Sequence, residues 1–305
     1  MASTRPAPAP PQAIAISGAS GLVGRALATA LSSEGHRVVP LVRPGSVGDG
    51  VRWNPSEGPA LPDGLVADAV VHLAGENIGG GRWTAARKQR IRDSRVVGTR
   101  RLAEALAALP APPRTFIVAS AVGIYGDRGD AWVDEDSPPG TGFLAEVCQA
   151  WEAAAQPACS AGIRVVQVRI GVVMSPEGGA LPRLLWPFRL GLGGPVGTGR
   201  QYVSWIALDD LVGVFRFLLA RTDIAGAVNA VAPHPVTNAD LARILGAVLG
   251  RPAVLPLPAA AVKLLLGEMG AALLLSGALV RPKVLTEAGF VFRHPDLEEA
   301  LRALL

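Results

Sequence analysis

The stretch Ile14-Ala-Ile-Ser-Gly-Ala-Ser-Gly-Leu-Val-Gly24 decides how the rest of the chain is read. Its apolar start reads as a buried strand that runs straight into a turn carrying Gly18, Gly21 and Gly24. In such a strand–turn–helix unit the first glycine lets the chain leave the strand sharply. The second removes a Cβ where a pyrophosphate approaches the backbone, and the third lets helix and strand pack closely. The helix that follows, Leu22 to about Ser33, repeats Leu22, Val23, Ala26, Leu27, Ala30 and Leu31 at helical spacing and offers its N-terminal N–H groups to phosphate oxygens. Arg37-Val-Val-Pro-Leu-Val42 then supplies a second strand. The βαβ unit predicts an α/β protein, a Rossmann-type doubly wound parallel sheet, that binds a dinucleotide through Gly18, Ser20, Gly21, Leu22 and Gly24.

Working outward, each later strand end contributes to the same crevice. Arg43 follows the second strand, where a carboxylate would hold a ribose 2′-OH and a cation accommodates a 2′-phosphate, so the expected cofactor is NADP rather than NAD. Ala69-Val-Val-His-Leu-Ala-Gly75 is an apolar strand ending in small residues, which leaves room for adenosine over Leu73, Ala74 and Gly75. His72 points into the sheet by alternation and reads as a core histidine. A helix from about Thr84 to Ala108 has an apolar face and a cationic one, from which Arg95 is the first choice to reach the cofactor phosphates. Thr115-Phe-Ile-Val-Ala-Ser120 and Gly162-Ile-Arg-Val-Val-Gln-Val-Arg169 are two more strands, with a helix from Phe143 to Gln156 between them. The exit Ile170-Gly-Val-Val-Met174 places Val173 against a nicotinamide. Gly178 to Gly199 reads as a mobile, substrate-facing segment.

These elements divide the chain into a disordered tail over residues 1–11, a Rossmann domain over 12–174 completed by about 203–231, and a small C-terminal substrate domain made of 175–202 and 232–305. In the last, Thr237 caps a helix starting near Asn238. A closing strand is expected around Gly289-Phe-Val-Phe292.

Composition narrows the function classes. The 305 residues are 50% hydrophobic and 18% charged with a net charge of +4, and the arginines are too dispersed for a nucleic-acid footprint. Cys148 and Cys159 fit neither a disulfide framework nor a metal site, and the four histidines are unpaired, which suits a cytoplasmic protein without a metal. The apolar window from Ala259 to Val280 is interrupted by Lys263 and Glu268, so packed helices are expected and no membrane partner. A monomer and a homodimer fit equally well.

Ser17-Gly-Ala-Ser-Gly-Leu-Val-Gly24, His72-Leu-Ala-Gly75, Val97-Gly-Thr99 and Ile124-Tyr-Gly126 together resemble the extended short-chain dehydrogenase/reductase superfamily. More narrowly, Ala74-Gly-Glu-Asn77, Ser94-Arg-Val96, Trp151-Glu-Ala-Ala154, Ser204-Trp-Ile206 and Ala232-Pro-His-Pro-Val-Thr-Asn238 resemble its epimerase-like subfamily SDR family 39U. The resemblance implies a Rossmann domain, NADP binding and a short C-terminal domain. It also implies chemistry by a tyrosine and a lysine four residues on, and here the sequence departs. Aligned on Trp151-Glu152, those places fall at Phe143 and Val147 or at Leu144 and Cys148, neither of which supplies a phenol or an amine. By position the substitute acid/base candidates are Ser120, Tyr125, Glu146 and Glu76. The resemblance therefore leaves an oxidoreductase or epimerase-like enzyme acting on an unknown small molecule, or a non-catalytic NADP(H) sensor or scaffold of the kind linked to cell or plastid division.

Overall fold

A computed structural model describes residues 11–45, 49–57, 61–62 and 65–305. The N-terminal tail, apart from Pro11, and much of the Pro/Gly-rich loop before Gly64 lie outside them. The central sheet has seven parallel strands: β1 (Ala13–Ser17), β2 (Arg37–Val42), β3 (Val51–Arg52), β4 (Ala69–His72), β5 (Thr115–Ala121), β6 (Arg164–Ile170) and β7 (Gly226–Ala230). Their order across the sheet is β7-β6-β5-β4-β1-β2-β3. It reverses between β1 and β4, which opens a crevice at the carboxyl ends of those two strands.

Strand alternation builds two cores, one on each face of the sheet. Ile14, Ile16, Val71 and Ile117 face α1 (Leu22–Ser33) and α6 (Leu208–Ala220), while Ala15, Val70, Phe116 and Val118 face α2 (Ala85–Ala107) and α4 (Gln156–Ser160). The helix expected from Phe143 to Gln156 is two helices: α3 (Phe143–Ala153) ends before α4, whose first turn takes Pro157, a residue with no N–H to continue the preceding helix.

A third core joins α5 (Leu181–Arg189), α7 (Asn238–Leu249) and α10 (Leu297–Leu304) through Leu181, Leu185, Phe188, Leu241, Leu245 and Leu301. The segment from Gly178 to Gly199 is thus built around a helix with a buried face and is more than a plain connector. Thr237 caps α7 by accepting from the Asp240 N–H at 3.1 Å. The apolar window after Ala259 forms α8 (Ala259–Leu274), kinked at Gly267.

No strand forms at 289–292. The last short strand is Leu279–Val280, paired with Trp132–Val133, and α9 (Lys283–Glu287) follows it. Phe290 and Phe292 stack edge-on at 4.8 Å, with Phe290 also against Phe217 of α6. The next two backbone N–H groups, of Arg293 and His294, donate to the Asp210 carboxylate at 2.7 and 2.9 Å. A side-chain acceptor and an aromatic stack hold this stretch where a sheet ladder was expected.

Candidate cofactor crevice

The glycine turn between β1 and α1 is as tight as its spacing implies. Gly18 has φ +73°, and a Cβ there would lie 2.9 Å from the Ala74 nitrogen and the Leu73 carbonyl carbon, so the ends of β1 and β4 touch through it. A Cβ on Gly24 would sit 2.2 Å from the Gly18 oxygen. The turn closes with the Gly21 N–H donating to the Gly18 carbonyl at 3.0 Å. Gly21 is the N-cap of α1, with no side-chain cap and no acidic residue in the first turn, and Ser20 and Gly21 are exposed. The helix end therefore presents donors and positive dipole to whatever anion approaches.

Leu22 reaches across to the exit from β6. Its side chain lies 3.5 Å from the Cβ positions of Gly178 and Gly179, and the latter position is 3.5 Å from the Val173 oxygen. Arg43 stands exposed at the end of β2, one strand over from the turn. The structure thus gathers Gly18, Ser20, Gly21, Leu22, Gly24, Leu73, Ala74 and Val173 around one crevice, with Arg43 on its flank.

Arg95 arrives from α2 on the opposite side of the sheet. Its guanidinium lies 5.0 Å over the Trp151 ring, and its Cζ is 3.3 Å from where a Gly75 Cβ would be. One nitrogen donates to the Ile91 carbonyl at 3.2 Å. Among the described residues no carboxylate forms an ion pair with it. Burial lowers its pKa, while Cys148 and Glu76 pull the other way. Glu76 itself is fixed through its N–H, which donates to Ser94 Oγ at 3.0 Å.

The two registrations of the α3 helix resolve here. Leu144 packs 3.5 Å and Cys148 Sγ 4.0 Å from a Cβ on Gly123, just past β5, so this pair faces the carboxyl edge of the sheet. Phe143 turns away to stack on Trp83 at 5.0 Å, under Lys88. A hydrocarbon and a thiol occupy the α3 face where the resemblance calls for phenol and amine. Burial, reinforced by Glu152, pushes the Cys148 thiol up to about 12, which leaves it protonated and a poor nucleophile.

Of the acid/base candidates, Ser120 and Tyr125 are joined through Glu152 and Arg169, while Glu76 and Glu146 lie outside that network. Ser120 is buried and donates to Glu152 Oε1 at 2.7 Å. Glu152 also takes two hydrogen bonds from Arg169, at 2.8 and 2.9 Å. Tyr125 is fully buried; its hydroxyl donates to Asn229 Oδ1 at 2.8 Å and accepts from Arg169 at 2.9 Å. Burial raises its pKa against the opposing influence of Arg169. The network continues to Glu135, whose Oε1 accepts from the Asn229 N–H at 2.9 Å and whose carboxyl pKa is raised by burial. Glu146 is exposed and lines an open groove with Trp83, Lys88, Phe143 and Glu268.

Sequence reasoning did not single out Glu152, Arg169, Asn229 or Glu135 as a unit. The available signal was polar residues inside otherwise apolar strands. It also missed the pair under the crevice floor: Ser17 Oγ and His72 Nδ1 are 2.6 Å apart, and burial depresses the His72 pKa to about 4, so the ring is neutral. The Val97-Gly-Thr99 and Trp151-Glu motifs turn out to be one contact, Trp151 Nε1 donating to Thr99 Oγ1 at 2.8 Å.

Residues 14–230 match the family profile of NAD dependent epimerases/dehydratases, more than half of the chain. The chain belongs to that family. Residues 257–304 match a second profile, a domain of unknown function (DUF1731). Among relatives of this epimerase family, the protein is 45% identical over 290 residues to epimerase family protein Mb2239 of Mycobacterium bovis, covering 94% of this chain and 96% of that one. It is 38% identical to human epimerase family protein SDR39U1, over 96% of this chain and 99% of that one. A crystal structure of the human protein, isoform 2 with NADPH, superposes with a TM-score of 0.89 at 37% identity, covering 96% and 98% of the two chains.

Proposed function

We propose that this epimerase-family protein binds NADP(H) and acts as an oxidoreductase or epimerase-like enzyme on a small-molecule substrate. The single observation that carries the cofactor assignment is the glycine turn. Backbone leaves no room for a Cβ at Gly18 or Gly24, and the turn ends at an uncapped helix N-terminus free of acidic residues. These features fit a pyrophosphate, and the NADPH in the human relative's structure supports the same reading.

In this reading Gly18, Ser20, Gly21, Leu22 and Gly24 line the pyrophosphate, and Arg43 pairs with the adenosine 2′-phosphate. Leu73, Ala74 and Gly75 give the adenosine half a floor of small residues, and Val173 bounds the nicotinamide. Arg95, a half-buried cation with no carboxylate partner in the described chain, supplies positive charge beside Gly75. A nicotinamide cofactor, when bound, donates or accepts hydride. Proton handling falls to groups other than α3 residues 144 and 148, with Glu76 and Ser120 nearest the strand ends.

The test is a fluorescence titration with NADPH and NADH. The wild type binds NADPH more tightly, and Arg43→Ala removes the preference. Equal affinities in the wild type, or an unchanged preference in Arg43→Ala, would refute the 2′-phosphate assignment. Leu144 and Cys148 favour a second reading, a non-catalytic NADP(H)-responsive scaffold. A metabolite screen for NADPH consumption separates the two, because the scaffold turns over none.

A further inference from the structure

The C-terminal part of the molecule carries an apolar surface that neither its cores nor the crevice uses. On α5, Trp186 is 68% exposed and Leu190 is also exposed, although the helix already buries Leu181, Leu185 and Phe188 on its other side. A helix in water keeps one face polar, and on the outer face of this one Trp186 stands between the exposed Arg183 and Arg189, with Leu190 at its C-cap. Leu192 continues the surface beyond α5, and Val254, at 74% exposure, with Leu255 continues it beyond α7. Backbone hydrogen bonds join the two segments: Leu255 N–H to the Gly193 carbonyl at 3.1 Å, Leu257 N–H to Pro195 at 2.9 Å and Gly197 N–H to Leu257 at 2.8 Å. The segment that follows α5 and the one that follows α7 therefore run side by side, with Pro252 3.9 Å from where a Gly191 Cβ would be, and both carry large exposed apolar side chains.

Charge says what covers it. Residues 178–200 and 250–267 contain no aspartate or glutamate, but do contain Arg183, Arg189, Arg200, Arg251 and Lys263. Arg189 and Arg251 are exposed and directly precede Leu190 and Pro252 in the chain. A second copy docked by two-fold symmetry would set this cationic face against itself. The complementary occupant is apolar within and anionic at its surface. A bilayer bearing anionic headgroups has that profile, with tryptophan at the boundary, aliphatic side chains below it and arginines at the phosphates. Among the described residues no helix is long and apolar enough to cross a membrane, so the contact is interfacial.

We propose that the face formed by Trp186, Leu190, Leu192, Val254 and Leu255 docks the protein on an anionic lipid surface. The test is flotation of the full chain with phosphatidylcholine vesicles that contain or lack phosphatidylglycerol, with the doubly substituted Leu192→Asp, Val254→Asp protein and with Arg189→Gln and Arg251→Gln. The wild type floats with the anionic vesicles only and is released by salt. Each arginine substitution weakens partition about fivefold, and the double aspartate variant stays in the dense fraction. NADPH titration and thermal unfolding, unchanged in the variants, show that the fold and the cofactor site are intact; failure of the proposal leaves the cofactor reading untouched. Equal flotation with both vesicle types, flotation with neither, or a variant that floats like the wild type would overturn it. So would a concentration-dependent dimer in sedimentation velocity that the aspartate pair disperses, because the face would then belong to a second copy.

Discussion

Replacing Gly24 by alanine sets two effects against each other. Gly24 lies in the first turn of α1, where alanine gains about 1 kcal/mol of helix propensity over glycine. The new methyl would meet the Gly18 carbonyl oxygen at 2.2 Å and the Ala19 Cα at 2.8 Å, against about 3.4 Å for ordinary contact. The turn must open by about 1.2 Å along that line, and both atoms are backbone, so no rotamer relieves it. Overpacking of this kind costs about 1–3 kcal/mol, which leaves a small net loss of stability and a fall in Tm of a few degrees. Binding suffers more, because the peptide units that move are those lining the phosphate site. Losing one charge-assisted hydrogen bond, worth about 1.5–3 kcal/mol, weakens NADPH by roughly ten- to a hundredfold. Thermal unfolding with and without NADPH, together with fluorescence titration, reads both quantities. Wild-type affinity in Gly24→Ala would refute the assignment of this turn to the pyrophosphate.

Three further outcomes are expected. Iodoacetamide at pH 7.5, followed by peptide mapping, labels exposed Cys159 in the native protein and spares buried Cys148 until the chain unfolds. His72 has a folded-state pKa of about 4, below the value near 6.5 of the unfolded chain, so its contribution is complete above pH 6.5 and is lost as the pH falls towards 4. The loss by pH 4.5 is about 2–3 kcal/mol, and in His72→Gln the thermal-stability profile between pH 7 and 4.5 flattens by that amount. Glu152→Ala leaves Arg169 largely buried without its carboxylate and lowers unfolding free energy by about 3–5 kcal/mol in a urea titration, with Glu152→Gln less affected.

The βαβ unit was legible because its cues are local: a glycine spacing, an apolar run and a helical repeat within thirty residues. The α3 register was not, because Phe143, Leu144, Val147 and Cys148 are all apolar or nearly so and either pair could face the sheet. Only the packing of Leu144 and Cys148 on Gly123 separates them. Gly289-Phe-Val-Phe292 has strand-like letters, but its N–H groups at Gly289 and Phe290 turn back onto Thr286 and Leu285, and the residues just after it, Arg293 and His294, are held by Asp210, about eighty residues earlier, a pairing that no local pattern reveals. The Ser120–Glu152–Arg169–Tyr125–Asn229 network escaped for the same reason: each member satisfies a group brought close only by the sheet order.

Asp210 also sets an order of events during synthesis. Its carboxylate is buried at the head of α6 and its acceptors are filled by the Arg293 and His294 N–H groups. Until those two residues leave the ribosome, a charge destined for the interior has no donors from that segment and must stay wet. The α6 side of the sheet in a nascent chain is therefore unfinished until Arg293 and His294, more than eighty residues after Asp210, have emerged, and a chain cut before Arg293 lacks the two donors that Asp210 takes from them.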